Sequence, residues 1–135
     1  MASQYLLDTN TASYIIKGDV LCVRHRLVRV PMAQVFISAV TEGELHYGLA
    51  RRQGAARLQR MVEEFLLRVT VLPWGSEAAK QYGHLRADLD RLGQPMGNLD
   101  MMIGSHALAV GAILVTNDRA FTRIRKLKVE DWMLP

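Results

Sequence analysis

Four carboxylates stand where this chain passes from one kind of segment to the next. Asp8 closes the apolar run Gln4 to Leu7, and Glu44 lies in the first turn of the helical segment after the β-rich run Gln34 to Ser38. Asp100 opens the helical segment that begins near Leu99, and Asp118 follows the compact apolar run Ala112 to Thr116. Carboxylates from distant segments repel when they meet unless a cation neutralises them. Hard oxygen donors in this number suit Mg2+, with Mn2+ as a substitute, better than zinc. Each acid taken alone also has a structural account. Asp8 can cap a helix starting near Thr11, and Glu44 completes a Thr41-x-x-Glu44 capping-box pattern. Asp100 suits a first helical turn, where the macrodipole favours an acid, and Asp118, after Asn117, suits a turn. The recurrence of acids at successive strand ends outweighs those accounts taken one by one.

The elements that must position these acids follow from the apolar pattern. Gln4 to Leu7 reads as a strand, followed by a helix over Thr11 to Ile16 that Gly18 stops. Leu21 to Val30 suits a basic-faced helix ending before Pro31. Gln34 to Ser38 is a second strand, and Leu45 and Leu49 mark a helix reaching Arg52. Leu58, Met61, Val62, Phe65 and Leu66 recur at helical spacing, Thr70 to Leu72 reads as a short strand, and Ser76 can cap a helix running to Gly93. Asn98 precedes a helix from Leu99 to Val110 closed by Gly111, Ala112 to Thr116 is a buried strand, and Leu127 to Trp132 suits a last edge strand. Strands alternating with helices predict an α/β layer fold with a mainly parallel sheet, because parallel neighbours need crossover helices. In such sheets, ligands gather at the carboxyl ends of the strands.

With 135 residues, half of them hydrophobic and 22% charged, the chain has the balance of one domain spanning 1–135. Seventeen Lys and Arg against thirteen Asp and Glu give a net charge of +4, which suits a polyanionic partner. Cys22 is the sole cysteine, so neither an intrachain disulfide nor a Cys-paired zinc site is available. The start of the chain lacks a signal-peptide pattern, and Gly111 breaks the longest apolar stretch, so a cytoplasmic protein with no membrane span is expected.

Six stretches, in order, resemble one family. They are Tyr-Leu-Leu-Asp-Thr-Asn at 5–10, Ile-Ser-Ala-Val-Thr-Glu-Gly-Glu-Leu-His-Tyr-Gly at 37–48, and Leu-Pro-Trp at 72–74. Gly-Gln-Pro-Met-Gly-Asn-Leu-Asp-Met-Met-Ile-Gly-Ser-His-Ala at 93–107, Gly-Ala-Ile-Leu-Val-Thr-Asn-Asp-Arg-Ala-Phe at 111–121 and Val-Glu-Asp-Trp at 129–132 follow. Together they resemble PIN-domain toxins of the VapC type over nearly the whole chain. The resemblance implies a PIN-like three-layer sandwich, a mainly parallel sheet flanked by helices. It also implies a metal-dependent ribonuclease whose metal site is Asp8, Glu44, Asp100 and Asp118. Glu44 rather than Glu42 fits the motif, being followed directly by Leu45. Many relatives carry one more residue before Arg-x-Phe, so Asn117 or Thr116 can share the role of Asp118. The family further implies a homodimer, a VapB-type antitoxin that blocks the metal site, and structured RNA, often tRNA, as target.

Substrate contacts are expected from the basic run after Asp118, namely Arg119, Arg123, Arg125, Lys126 and Lys128, and from Arg51-Arg52 after Glu44. Such runs taken alone are more often solvated faces. His25, His46, His84 and His106 form no His-x-x-x-His pair, so structural or surface roles are expected of them. Two other readings remain at this point. One is a non-catalytic DNA- or partner-binding module whose acids only cap helices. The other is a phosphoryl-transfer α/β protein such as a receiver domain, which needs a second acid that Asp8-Thr9-Asn10 lacks.

Overall fold

A computed structural model describes residues 2–135. Its elements are β1 (Tyr5–Leu7), α1 (Thr9–Lys17), α2 (Leu21–Leu27), β2 (Val35–Ser38), α3 (Ala39–Ala50), α4 (Ala56–Arg68), β3 (Thr70–Leu72), α5 (Ser76–Leu92), α6 (Asn98–Val110), β4 (Ile113–Val115) and β5 (Val129–Glu130). Short 3-10 turns occupy Met32–Gln34 and Arg119–Arg123. The five strands form one sheet in the order β3-β2-β1-β4-β5, and every neighbouring pair is parallel.

The strands are short and apolar because helices cover both faces of the sheet. Leu7, Val35, Ile37 and Val115 point into one layer, packed by Ala12 of α1, Val23 of α2, Leu45 of α3 and Val62 and Phe65 of α4. Leu6 and Leu114 point into the other layer, packed by Leu85 and Leu89 of α5 and by Met101, Ile103 and Ala107 of α6. Phe121 and Ile124 complete that second layer. The result is a three-layer α/β/α sandwich, as expected. Leu6, Leu7, Ile37, Leu114 and Val115 are fully buried, and each such side chain contributes about 1.5–3 kcal/mol.

Several boundaries differ from the sequence reading. The first helix starts at Thr9, with Asp8 as its N-cap. The basic-faced helix ends at Leu27, short of Val30. Ser38 caps α3, which starts at Ala39, so Thr41 lies inside the helix and the expected Thr41–Glu44 capping box does not form. Glu44 therefore sits one turn further along α3 than expected. Gly75 rather than Ser76 is the cap residue of α5, and Asn98 is the first residue of α6 rather than its predecessor. Gly111 closes α6 at φ 68°, a conformation that a side chain disfavours, and so turns the chain directly into β4. The last strand is only Val129–Glu130, held in place by the buried Trp132, whose Nε1 donates to Glu130 Oε1 at 3.1 Å.

Candidate active site

In the strand order β3-β2-β1-β4-β5, the connections from β1 lead to β2 on one side, while β4 pairs on the other. A crevice is therefore expected at the carboxyl ends of β1 and β4. Asp8 directly follows β1 and Asp118 lies just past β4. The chain returns from α6 into β4 at the amino edge of the sheet, so the first turn of α6, with Asp100, lies at the opposite, carboxyl edge. Glu44 comes from α3, which leaves β2 with no intervening loop.

The electrostatics bring Asp8, Glu44 and Asp118 within charge range of Asp100, and Asp118 within range of Asp8. The Asp100 carboxyl is pushed above the ordinary range, first by burial and then by repulsion from Asp118, Glu44 and Asp8. Asp8 is also raised by burial, with Asp118 adding repulsion, while hydrogen bonding from Thr116 and from the Thr11 amide and hydroxyl pulls the other way. Two acids that resist ionisation beside two others form a site short of positive charge.

Hydrogen bonds orient three of the four carboxylates. Asp8 Oδ1 accepts from the Thr11 amide at 2.8 Å, and the Thr11 hydroxyl donates to Val115 O at 3.1 Å, tying α1 to β4. The Thr9 hydroxyl donates to Glu44 Oε1 at 2.5 Å and lies 3.2 Å from the Thr41 hydroxyl. Asp118 Oδ1 accepts from the Ala120 amide at 2.9 Å, while its own amide donates to the buried Thr116 Oγ1 at 3.0 Å. Thr9 and Thr41 escape a search for charged residues. The adjacency of Thr9 to Asp8 and the Thr41-x-x-Glu44 spacing were their sequence signals.

Among the described residues, no three His, Cys, Asp or Glu side chains lie close enough together to hold a metal ion directly between them. Asp100 stands in range of the charge of the other three acids, in a crevice too open for direct coordination by three of them. That arrangement fits a hydrated Mg2+, which keeps several waters and takes few protein carboxylates, and it does not fit tetrahedral zinc. Asp8, Glu44, Asp100 and Asp118 are the side chains able to hold such an ion.

The histidines take no part in this arrangement. His106 is buried, with Nδ1 2.8 Å from Ser38 Oγ, joining α6 to the cap of α3, and burial lowers its pKa. His25, His46 and His84 are exposed. The basic residues fall into separate groups. Arg119 is exposed beside Asp118. Arg123, whose Nη1 donates to Pro95 O at 3.1 Å, joins Arg125 and Lys126 on a cleft of about 260 Å³ along α5. Arg51 and Arg52 line a different cleft, of about 310 Å³, together with Lys17, Thr9 and Glu44. Lys17 had not been singled out from the sequence.

Comparison with known proteins shows the family. Residues 5–127 match the PIN domain family. The chain is 39% identical over 130 residues to the tRNA(fMet)-specific endonuclease VapC of Shigella flexneri, covering 96% of this chain and 98% of that protein. It is 34% identical over 131 residues to ribonuclease VapC2 of Haemophilus influenzae, with 96% and 98% covered. A solved structure of DNA-bound VapBC from Salmonella typhimurium superposes with a TM-score of 0.89 at 37% identity, covering 97% of this chain and 99% of that one. VapBC2 from Rickettsia felis, bound to a fragment of its promoter, gives 0.85 at 32%, covering 93% and 96%. Among the described residues, no helix is long and apolar enough to cross a membrane. With its parallel sheet, the acids at the carboxyl edge and relatives of this kind, the chain belongs to the PIN-domain family, in its VapC branch of ribonucleases.

Proposed function

We infer that this protein is an Mg2+-dependent endoribonuclease, the toxin of a type II toxin–antitoxin pair. On this reading it cleaves structured RNA of the tRNA class in the cytoplasm and thereby stops translation. The observation that carries the reading is the mutual repulsion at Asp100, whose carboxyl is raised by burial and by all three of the other acids. A divalent ion relieves that repulsion, lowers the pKa of bound water and neutralises charge on the phosphoryl oxygens. Asp8 and Asp100 would hold the ion directly, and Glu44 and Asp118 would complete the set.

The chain's own groups then divide the work. Asp8 is fixed by the Thr11 amide and Asp118 by the Ala120 amide, so neither must be ordered when substrate arrives. Glu44, held by Thr9, or Asp118 would accept the proton from the attacking water. Arg119, Arg123, Arg125 and Lys126 follow Asp118 in sequence and supply phosphate contacts to the RNA outside the acidic crevice. A VapB-type antitoxin and a second copy of the chain are the proposed protein partners. VapBC complexes among the structural relatives support the first of these.

The test is incubation with total tRNA in Mg2+, in Mn2+ and in excess EDTA. Discrete fragments in either metal and none in EDTA are expected. Cleavage that survives EDTA contradicts the reading, and so does the absence of cleavage in both metals.

A further inference from the structure

The cleft that contains Glu44 holds an element the proposed hydrolysis does not use. Glu44, Tyr47 and Arg51 lie at i, i+3 and i+7 on one face of α3. At 1.5 Å per residue, Tyr47 stands about 4.5 Å, and Arg51 about 10 Å, further along the helix axis than Glu44. The Arg51 guanidinium lies 5.5 Å from the centre of the Tyr47 ring, while Tyr47 stays 65% exposed. An aromatic ring so exposed adds little to the core. Lys17 and Arg52 line the same cleft, and Glu44 is its sole carboxylate. Among the described residues, none of Lys17, Arg51 and Arg52 has an ion-pair partner.

We propose that Tyr47 and Arg51 form a stacking platform for an unpaired nucleotide of the RNA next to the scissile phosphate, with Lys17 and Arg52 holding the adjoining backbone phosphates. The proposal rests on the ribonuclease reading for the position of the scissile phosphate. Tyr47 follows Glu44 by about 4.5 Å along the helix axis, the same order as the repeat of about 3.4 Å between stacked bases, so it is the next large side chain along that face from the acid. Three unpaired cations against one carboxylate complement a polyanionic strand. Proteins that take unpaired RNA combine aromatic faces and guanidinium planes with a basic groove in this way. A duplex keeps its bases stacked inside and cannot use the ring. The platform therefore selects loops and unpaired ends and sets which residue of a loop is cut.

Gly48 provides an independent handle. It lines the same cleft, and a Cβ built on it meets nothing within 4 Å, so a larger side chain there fills the cleft without disturbing the packing of α3.

The experiment titrates a short single-stranded RNA carrying 2-aminopurine into the protein in EDTA, where no cleavage is expected. Wild type, Tyr47→Ala, Tyr47→Phe and Gly48→Leu are compared, with a duplex of the same sequence as control. Thermal unfolding checks that each variant folds. Cleavage of the unlabelled strand in Mg2+ is measured in parallel. Tyr47→Ala is expected to weaken single-strand binding about 5- to 150-fold, the span of one base–aromatic stack, and to abolish the quenching of 2-aminopurine. Tyr47→Phe should bind as wild type, Gly48→Leu should bind weakly while remaining folded, and the duplex should be indifferent to Tyr47. Equal binding by wild type and Tyr47→Ala overturns the platform even if the wild type cleaves RNA. Equal losses for Tyr47→Ala and Tyr47→Phe overturn it too. Unchanged RNA binding together with lost inhibition by a VapB-type partner gives the cleft to a protein segment and also overturns it. Ring-dependent quenching by a wild type that cleaves no RNA in Mg2+ supports the platform and removes the ribonuclease reading instead.

Discussion

Asp8 receives the Thr11 amide on Oδ1 and so caps α1. Asn caps helices about as well as Asp, so Asp8→Asn keeps the cap and removes the charge. The expected outcome is a folded protein whose cleavage rate falls by about 10²-fold or more, since a lost metal contact forfeits several kcal/mol of charge stabilisation. Asp8→Ala loses the cap as well and should unfold about 1 kcal/mol more easily than Asp8→Asn in denaturant titration. The raised carboxyls of Asp8 and Asp100 set the sign of a pH effect. A folded-state pKa above the unfolded value gives stability that is complete at low pH and is lost as pH rises through the folded value. In metal-free protein, therefore, Asp100→Asn should raise the melting temperature at pH 7. That advantage should shrink as the pH falls through the raised carboxyl range. A variant melting below wild type at pH 7 contradicts the repulsion.

At the scale of elements, α6 holds Asp100 in its first turn and also carries Gly104, over which the Asp118 turn is packed. A Cβ on Gly104 comes 2.7 Å from Ile124 Cδ1 and 3.7 Å from the Phe121 ring, both in the segment that follows Asp118. Gly104→Ala must displace the terminal methyl of the buried Ile124 side chain. It is expected to cost about 1–3 kcal/mol of stability and to lower Mg2+-dependent cleavage further than the stability loss explains, measured by urea titration and initial rates on the same preparation. The same elements show what the sequence could convey. Apolar patterning together with cap and breaker residues located every strand and helix, because helices on both faces make each strand a short apolar run. It did not locate the starts of α1 and α3. Thr41-x-x-Glu44 has the letters of a capping box, but β2 runs straight into α3, so Ser38 takes the cap and Thr41 is carried inside. Glu44 was thereby freed to meet Thr9, a contact between residues 35 apart that no local pattern encodes. Lys17 and Tyr47 were passed over for a related reason, since only the packing of α1 against α3 places them in one cleft.

For the whole molecule, the all-parallel order β3-β2-β1-β4-β5 collects the acids at one edge while two apolar layers hold that edge in place. Folding thus accumulates repulsion that a cation relieves. Mg2+ at about a hundred times its dissociation constant should stabilise the wild type by about 2.7 kcal/mol. The rise in melting temperature should disappear in Asp100→Asn, and a rise of equal size in both proteins removes Asp100 from the metal site. The central claim is that the four carboxylates act as one metal site for RNA hydrolysis. Its most direct test is the initial rate of tRNA cleavage in Mg2+ by wild type and by Asp100→Asn, both shown to be folded. A rate that falls about 10²-fold or more, with wild-type cleavage abolished by EDTA, is the predicted result. Equal rates for the two proteins contradict it.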